Sequence, residues 1–185
     1  MSDFNESNRI ADPSSISVWP IALRYGGIVA GALLVLGLVM YLAGLSDPAN
    51  PSTASQVVSC LNYIVIMGTV VFTIKAHRDN DLGGYITLGR SMGVGTATAL
   101  IIGAITAVWT IVFMTFIFPD MADAIKDAAM EKAQPGQEEM TEKMVGIFSN
   151  PFIVAIMVIL GTVLIGFITS LVAGAIMKKD PAPYV

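Results

Sequence analysis

The chain has 185 residues, 55 % of them hydrophobic and only 13 % charged, with a formal net charge of −4. That length gives room for one domain, and the balance departs from soluble averages in the direction a bilayer protein requires. No basic tract is present that could neutralise a row of phosphates, so nucleic acid is excluded as a partner, and the single cysteine, Cys60, can form neither an internal disulfide nor a multi-cysteine metal site.

Four windows contain no Asp, Glu, Lys or Arg: Tyr25–Ser46, Pro48–Ile74, Ser91–Pro119 and Met144–Met177. Each reaches the ~20 apolar residues with which a helix crosses a hydrocarbon core of ~30 Å. A soluble helix must turn a charged or strongly polar face to water, and these windows offer none. The expected fold is all-α, a polytopic membrane protein built as a four-transmembrane-helix bundle.

Residues 1–18 are expected to form a disordered cytoplasmic tail. This stretch is acidic rather than basic, and the apolar run behind it outlasts the ~7–15-residue core of a signal peptide, so a retained span is expected. Span 1 covers about residues 20–45, with Pro20 at a first helical position and Gly44 at its end. Trp19 and Tyr25 suit the interface, and Arg24 can snorkel to the headgroups. After the short loop Ser46–Ser55, span 2 covers about residues 54–75 and ends in the charged turn Lys75-Ala76-His77-Arg78-Asp79-Asn80-Asp81.

Span 3 covers about residues 90–118 and closes at Phe118-Pro119. Residues 120–149 are expected to form an amphipathic helical hairpin outside the cytoplasm, split at Pro135-Gly136. In its first helix Asp120, Asp123, Asp127 and Glu131 share a face, and in its second Met140, Met144, Ile147 and Phe148 make an apolar stripe. Such a pair suits the membrane surface or the end of the bundle. Span 4 covers about residues 151–177, capped by Asn150 and opened by Pro151. Residues 19–179 thus form a single four-span domain, with 180–185 as a C-terminal tail.

Orientation follows from Lys and Arg. One side holds Arg9, Arg24, Lys75, Arg78, Arg90, Lys178 and Lys179; the other holds Lys126, Lys132 and Lys143. The split predicts both termini in the cytoplasm and the acidic hairpin outside.

Within lipid the hydrophobic effect no longer drives helices together, so close packing must do so. Small residues recur at every fourth position on three spans: Gly27 and Gly31; Gly95, Ala99, Gly103 and Ala107; Thr162, Gly166, Ser170 and Gly174. These stripes are the expected packing faces. They either seal the bundle internally or mediate dimerisation.

Chemistry in the spans is sparse. No ionisable side chain falls at mid-span, which disfavours a proton relay through a buried carboxylate. Asn62 is the most polar side chain of span 2, and its expected role is a hydrogen bond to another helix, with a substrate contact as the alternative. Thr69, Thr73, Thr96, Thr98, Thr106 and Thr110 are expected to bond their own helix backbone. His77 is the only histidine, which rules out a multi-histidine metal site within the chain. Arg24, Lys75, His77, Arg78, Arg90, Lys178 and Lys179 are the candidates for lipid-headgroup contact. No catalytic set, cofactor motif or metal site is found.

The turn Arg78-Asp79-x-x-Leu82-Gly83-Gly84-Tyr85-Ile86-x-x-Gly89, a Gly-rich third span closing at Phe118-Pro119 and an acidic helix before a last span ending in Lys-Lys together resemble a bacterial integral-membrane family of unknown function, numbered 4199. The resemblance covers about Ile21 to Lys179 and implies a small four-span protein, with no activity, cofactor or catalytic residue attached. The expected function is a non-enzymatic accessory, assembly or scaffold component of the membrane, and the alternative is a small oligomeric channel or carrier. The expected partners are membrane lipid and a second membrane protein or copy of this chain.

Overall fold

The computed structural model describes residues 16–45, 52–134 and 136–179. Most of the expected N-terminal tail, most of the first loop, Pro135 and the C-terminal tail lie outside the described residues. Six α-helices are present among them: α1 (Trp19–Leu42), α2 (Thr53–Ala76), α3 (Leu88–Val112), α4 (Met121–Glu131), α5 (Glu138–Phe148) and α6 (Pro151–Met177). Helices α1, α2, α3 and α6 are long and apolar enough to cross a membrane, with the short pair α4–α5 between the third and fourth. The fold is all-α, as the charge-free windows require.

The helix starts are chemically marked. Ser52 accepts from the Ser55 N–H at 3.1 Å, Thr87 from Arg90 N–H at 3.3 Å, and Asn150 from the N–H groups of Phe152 and Ile153 at 2.9 and 3.3 Å. Each satisfies a backbone donor that the first turn leaves without an intrahelical partner. The ends are less abrupt than the apolar windows suggest. Both α2 and α3 run on through a π-helical turn, His77–Asp81 and Phe113–Ile117, closed by Leu82 N–H to His77 O at 3.2 Å and Phe118 N–H to Phe113 O at 2.8 Å.

Helix α3 is the centre of the bundle: it packs most extensively on α6, then on α1 and α2. Its seam with α6 is made of small residues in antiparallel register. A Cβ built on Gly174 would lie 2.8 Å from the Ser91 Cβ, one on Gly95 2.3 Å from Ser170, and one on Gly166 2.1 Å from Ala99. On Gly103 it would lie 3.3 Å from both the Ile159 Cα and the Thr162 Cβ. Four residues separate each pairing from the next, and the glycine alternates between the two helices, so neither backbone is held off by a side chain. Ala107 is buried one turn further along. The two serine hydroxyls in the seam are spent locally, Ser91 on Thr87 O and Ser170 on Phe167 O.

The α1 stripe does not take part in the seam: among the described residues a Cβ on Gly27 or Gly31 would meet nothing within 4 Å. The close approach of α1 to α3 is made instead at Gly26, where a Cβ would lie 3.1 Å from Thr98 O. Gly26 falls one position earlier on the helix, about 100° round from Gly27 at 3.6 residues per turn, and shares the buried face with Ala22 and Ala30.

At the far end, Tyr41 packs edge-on against Phe113 at 5.0 Å and tilted against Phe118 at 5.6 Å. This ties the end of α1 to the end of α3. Helices α4 and α5 are joined by an ion pair between Lys126 and Glu142 at 3.0 Å, and the hydrogen bond to Glu142 raises the Lys126 pKa. Both partners are exposed, so the pair adds little stability. The stripe of Met140, Met144, Ile147 and Phe148 is exposed, and only Val145 of α5 is buried.

The seam makes a specific prediction. Gly166→Val should lower stability by about 1–3 kcal/mol, the usual cost of overpacking, whereas Gly31→Val should stay within about 0.5 kcal/mol of wild type. Thermal unfolding of the two variants in the same detergent checks the contrast, and equal midpoints would contradict the assigned seam.

Candidate functional site

Two places in the bundle gather polar chemistry, one at each end. The first is the turn between α2 and α3. The π turn His77–Asp81 puts the His77 ring inward, where it is fully buried, with Nδ1 2.6 Å from Asp81 Oδ2. Arg90, in the first turn of α3, brings Nε and Nη2 each to 3.1 Å from His77 Nε2, and Nη2 also donates to the carbonyl of Ile16. A guanidinium can only donate, so Nε2 must accept and the proton sits on Nδ1, donated to Asp81. The imidazole in this arrangement is neutral and links a cation to an anion.

The glycines that follow hold this geometry. Gly83 and Gly84 have φ of +60° and +90°, a left-handed stretch that side chains rarely adopt. The reversal lets Leu82 and Ile86, 4 % and 2 % exposed, turn back into the core beside Val70, Ile74 and Val94. Ile86 then exchanges two backbone hydrogen bonds with Lys179, at 3.1 and 3.0 Å, and the Lys179 ammonium lies 5.1 Å from the centre of the Tyr85 ring. The turn is therefore clamped to the end of α6.

This placement separates the candidate headgroup contacts. His77 cannot be one, because its ring is enclosed and both nitrogens are engaged; the reading as a surface cation is corrected. Arg90 is also turned inward, toward His77 and Ile16. Arg24 is exposed with its guanidinium carbon 5.6 Å from the Tyr25 ring centre, Arg78 bonds Asp79 at 2.7 Å, and Lys75, Lys178 and Lys179 are exposed.

The second place is a cavity of about 490 Å³ at the opposite end, between the four long helices. Its wall is largely apolar and includes Leu33, Gly37, Ile66 and Gly161. Its polar groups come from three helices: Ser59, Asn62 and Tyr63 of α2, Thr106 and Trp109 of α3, and Thr162 of α6. Asn62 makes no hydrogen bond to another helix among the described residues, so the structure places it on the cavity wall instead of in an interhelical bond. Tyr63 and Met157, also on the wall, are 53 % and 46 % exposed, so the cavity is not sealed.

Sequence reasoning missed both assemblies. The spacing His77-x3-Asp81, with an Arg in the first turn after a Gly-Gly reversal, was the available signal for the first. Ser55, Ser59 and Asn62, four and then three residues apart, put a polar face on one side of α2 and were the signal for the second. Among the described residues no three His, Cys, Asp or Glu side chains come together as a metal site.

Four membrane-crossing helices around a small-residue seam define a multi-span membrane protein. Residues 24–179 match the family described as protein of unknown function, DUF4199, and the chain belongs to it. The match runs from Arg24 near the start of α1 to Lys179 at the clamp, and so takes in both polar assemblies. No curated protein and no solved structure matches the chain significantly.

The buried cluster has a measurable consequence. His77→Ala removes the acceptor of Arg90 and the donor to Asp81, and should cost about 2 kcal/mol, the penalty for leaving such groups unpaired. His77→Gln, whose amide can both accept and donate, should recover part of that loss. Thermal unfolding of the two variants beside wild type is the check, and a wild-type midpoint for His77→Ala would show that the cluster holds nothing together.

Proposed function

We propose that this protein is a non-enzymatic assembly or accessory component of a bacterial cytoplasmic membrane, joined to a partner helix through α1. One observation carries the reading. Gly27 and Gly31 form a Gly-x3-Gly pair on a membrane-crossing helix, and among the described residues a Cβ on either would meet nothing within 4 Å. Of the 24 residues of α1 only Ala22, Gly26 and Ala30 are buried. Such a pair lets two backbones approach closely in lipid, where packing and not hydrophobicity drives association. The comparable stripes on α3 and α6 are already consumed inside the bundle.

Both termini face the cytoplasm in this proposal, supported by the Lys and Arg excess on the side of the α2–α3 turn. Gly27→Leu with Gly31→Leu should abolish the higher-mass species or the co-purifying partner after mild detergent extraction, while the thermal midpoint stays near wild type. Size-exclusion chromatography with light scattering reads the first and thermal unfolding the second. A wild-type chain that runs only as a monomer, alone, would remove the proposal.

A small channel or carrier is the second reading, favoured by the polar face of α2 turned toward the cavity. Solute flux into liposomes holding the purified protein tests it, and a silent broad panel of ions and solutes would remove it.

A further inference from the structure

Several hydroxyls within the spans are already committed. Thr69, Thr73, Thr98 and Thr110 each donate to the carbonyl four residues back, at 2.7–2.9 Å. Four polar groups on the cavity wall behave differently. The Asn62 amide, the Thr106 and Thr162 hydroxyls and the Trp109 indole N–H have no hydrogen-bond partner among the described residues. Among the described residues no fully buried side-chain nitrogen or oxygen lacks a partner, so none of these four groups is walled off inside the protein.

They also sit at matching depth. Ile66 of α2 and Ile102 of α3 share one core cluster. Asn62 and Thr106 each lie four residues further toward the α4–α5 end, and Thr162 is beside Gly103. Asn62 is about 13 Å along α2 from its first residue at 1.5 Å per residue, near the middle of a ~30 Å hydrocarbon layer. Unmet hydrogen-bonding capacity is costly at that depth.

The geometry points to a binding site for one uncharged, membrane-soluble molecule that carries a carbonyl oxygen on a hydrocarbon body. The oxygen is specified by Trp109, which can only donate, while Asn62 and the two threonines can donate as well as accept. The lack of charge is specified by the wall itself, on which no Asp, Glu, Lys, Arg or His stands among the described residues. The volume of about 490 Å³ falls within the roughly 300–1,000 Å³ of sites that enclose a small ligand. An acyl ester and a prenylated ring carbonyl share this chemistry. The inference rests on the cavity of the second reading but requires no transport.

Trp109 reports on its own site. The chain has 2 tryptophans, and Trp19 does not line the cavity. The Trp19→Phe protein in phosphatidylcholine vesicles is titrated with a bromine-labelled diacylglycerol and, separately, with a prenylated benzoquinone, both of which quench indole on contact. Saturable quenching by either probe is expected, and the probe that saturates identifies the source of the carbonyl. Gly161→Leu is the decisive variant, because Gly161 stands on the cavity wall and a Cβ there meets nothing within 4 Å among the described residues. It should weaken the saturable component at least about tenfold, and Asn62→Leu should weaken it by a comparable factor. Quenching that rises linearly with either probe, or an apparent affinity unchanged in Gly161→Leu, would overturn the site. Saturable binding without liposome flux upholds the site and removes only the carrier reading. Flux without any saturable quenching does the reverse.

Discussion

The close approach of α3 to α6 is the constraint on which the remaining structure depends. In lipid, two apolar helices gain nothing from leaving solvent, and what binds them is the density of van der Waals contact. Alternating the glycine between the helices, Gly174 against Ser91, Gly95 against Ser170, Gly166 against Ala99, keeps every layer thin without leaving a void. A single all-glycine helix would reach the same spacing, but at a greater conformational cost per residue. With that pair fixed, α1 and α2 are placed by what α3 still offers. Gly26 meets α3 at Thr98 and Ile101, and Val70 and Ile74 meet it at Gly95.

The ends of the bundle differ because polar groups are handled differently there. At the α2–α3 turn a cation, a neutral ring and an anion are stacked in sequence, so both nitrogens of the His77 ring find partners and the ring can be buried. The Gly83–Gly84 reversal and the two-bond clamp to Lys179 make that end tight. At the α4–α5 end the outer half of α2 is largely exposed and the helices enclose the cavity. One end of the molecule is therefore closed by hydrogen bonds made within the chain, and the other keeps hydrogen-bonding groups unspent.

Much of the fold was legible because its cause is one-dimensional. A run without charge long enough to cross a bilayer declares itself in sequence, and so does Asn150 at the start of α6. What was not legible depends on rotation about helix axes. Gly27 and Gly26 are adjacent in sequence but about 100° apart on the helix, and only packing decides which faces α3. Thr106 and Thr110 look alike in sequence, yet Thr110 bonds its own backbone while Thr106 stands on the cavity wall. His77 read as one more basic residue of a membrane flank, because the π turn that brings it inward leaves no mark in the residue pattern.

The same rotational fact bears on what kind of molecule this is. A helix in lipid has no reason to group its polar side chains unless something on that side receives them. On α2 the groups Ser55, Ser59 and Asn62 fall on one face, and Leu61 and Ile64 on another that is half exposed. Ser59 donates to its own helix at 2.9 Å, which leaves Asn62 with capacity to spare. Across the cavity, α3 and α6 present Thr106, Trp109 and Thr162 at related depths, although the α3–α6 seam itself requires only small size at Thr162 and makes no demand on Thr106 or Trp109. Packing explains the glycines of the α3–α6 seam, but not the uncommitted polar groups of Asn62, Thr106, Trp109 and Thr162. A role in holding something within the bilayer, rather than in holding the bundle together, accounts for their chemistry.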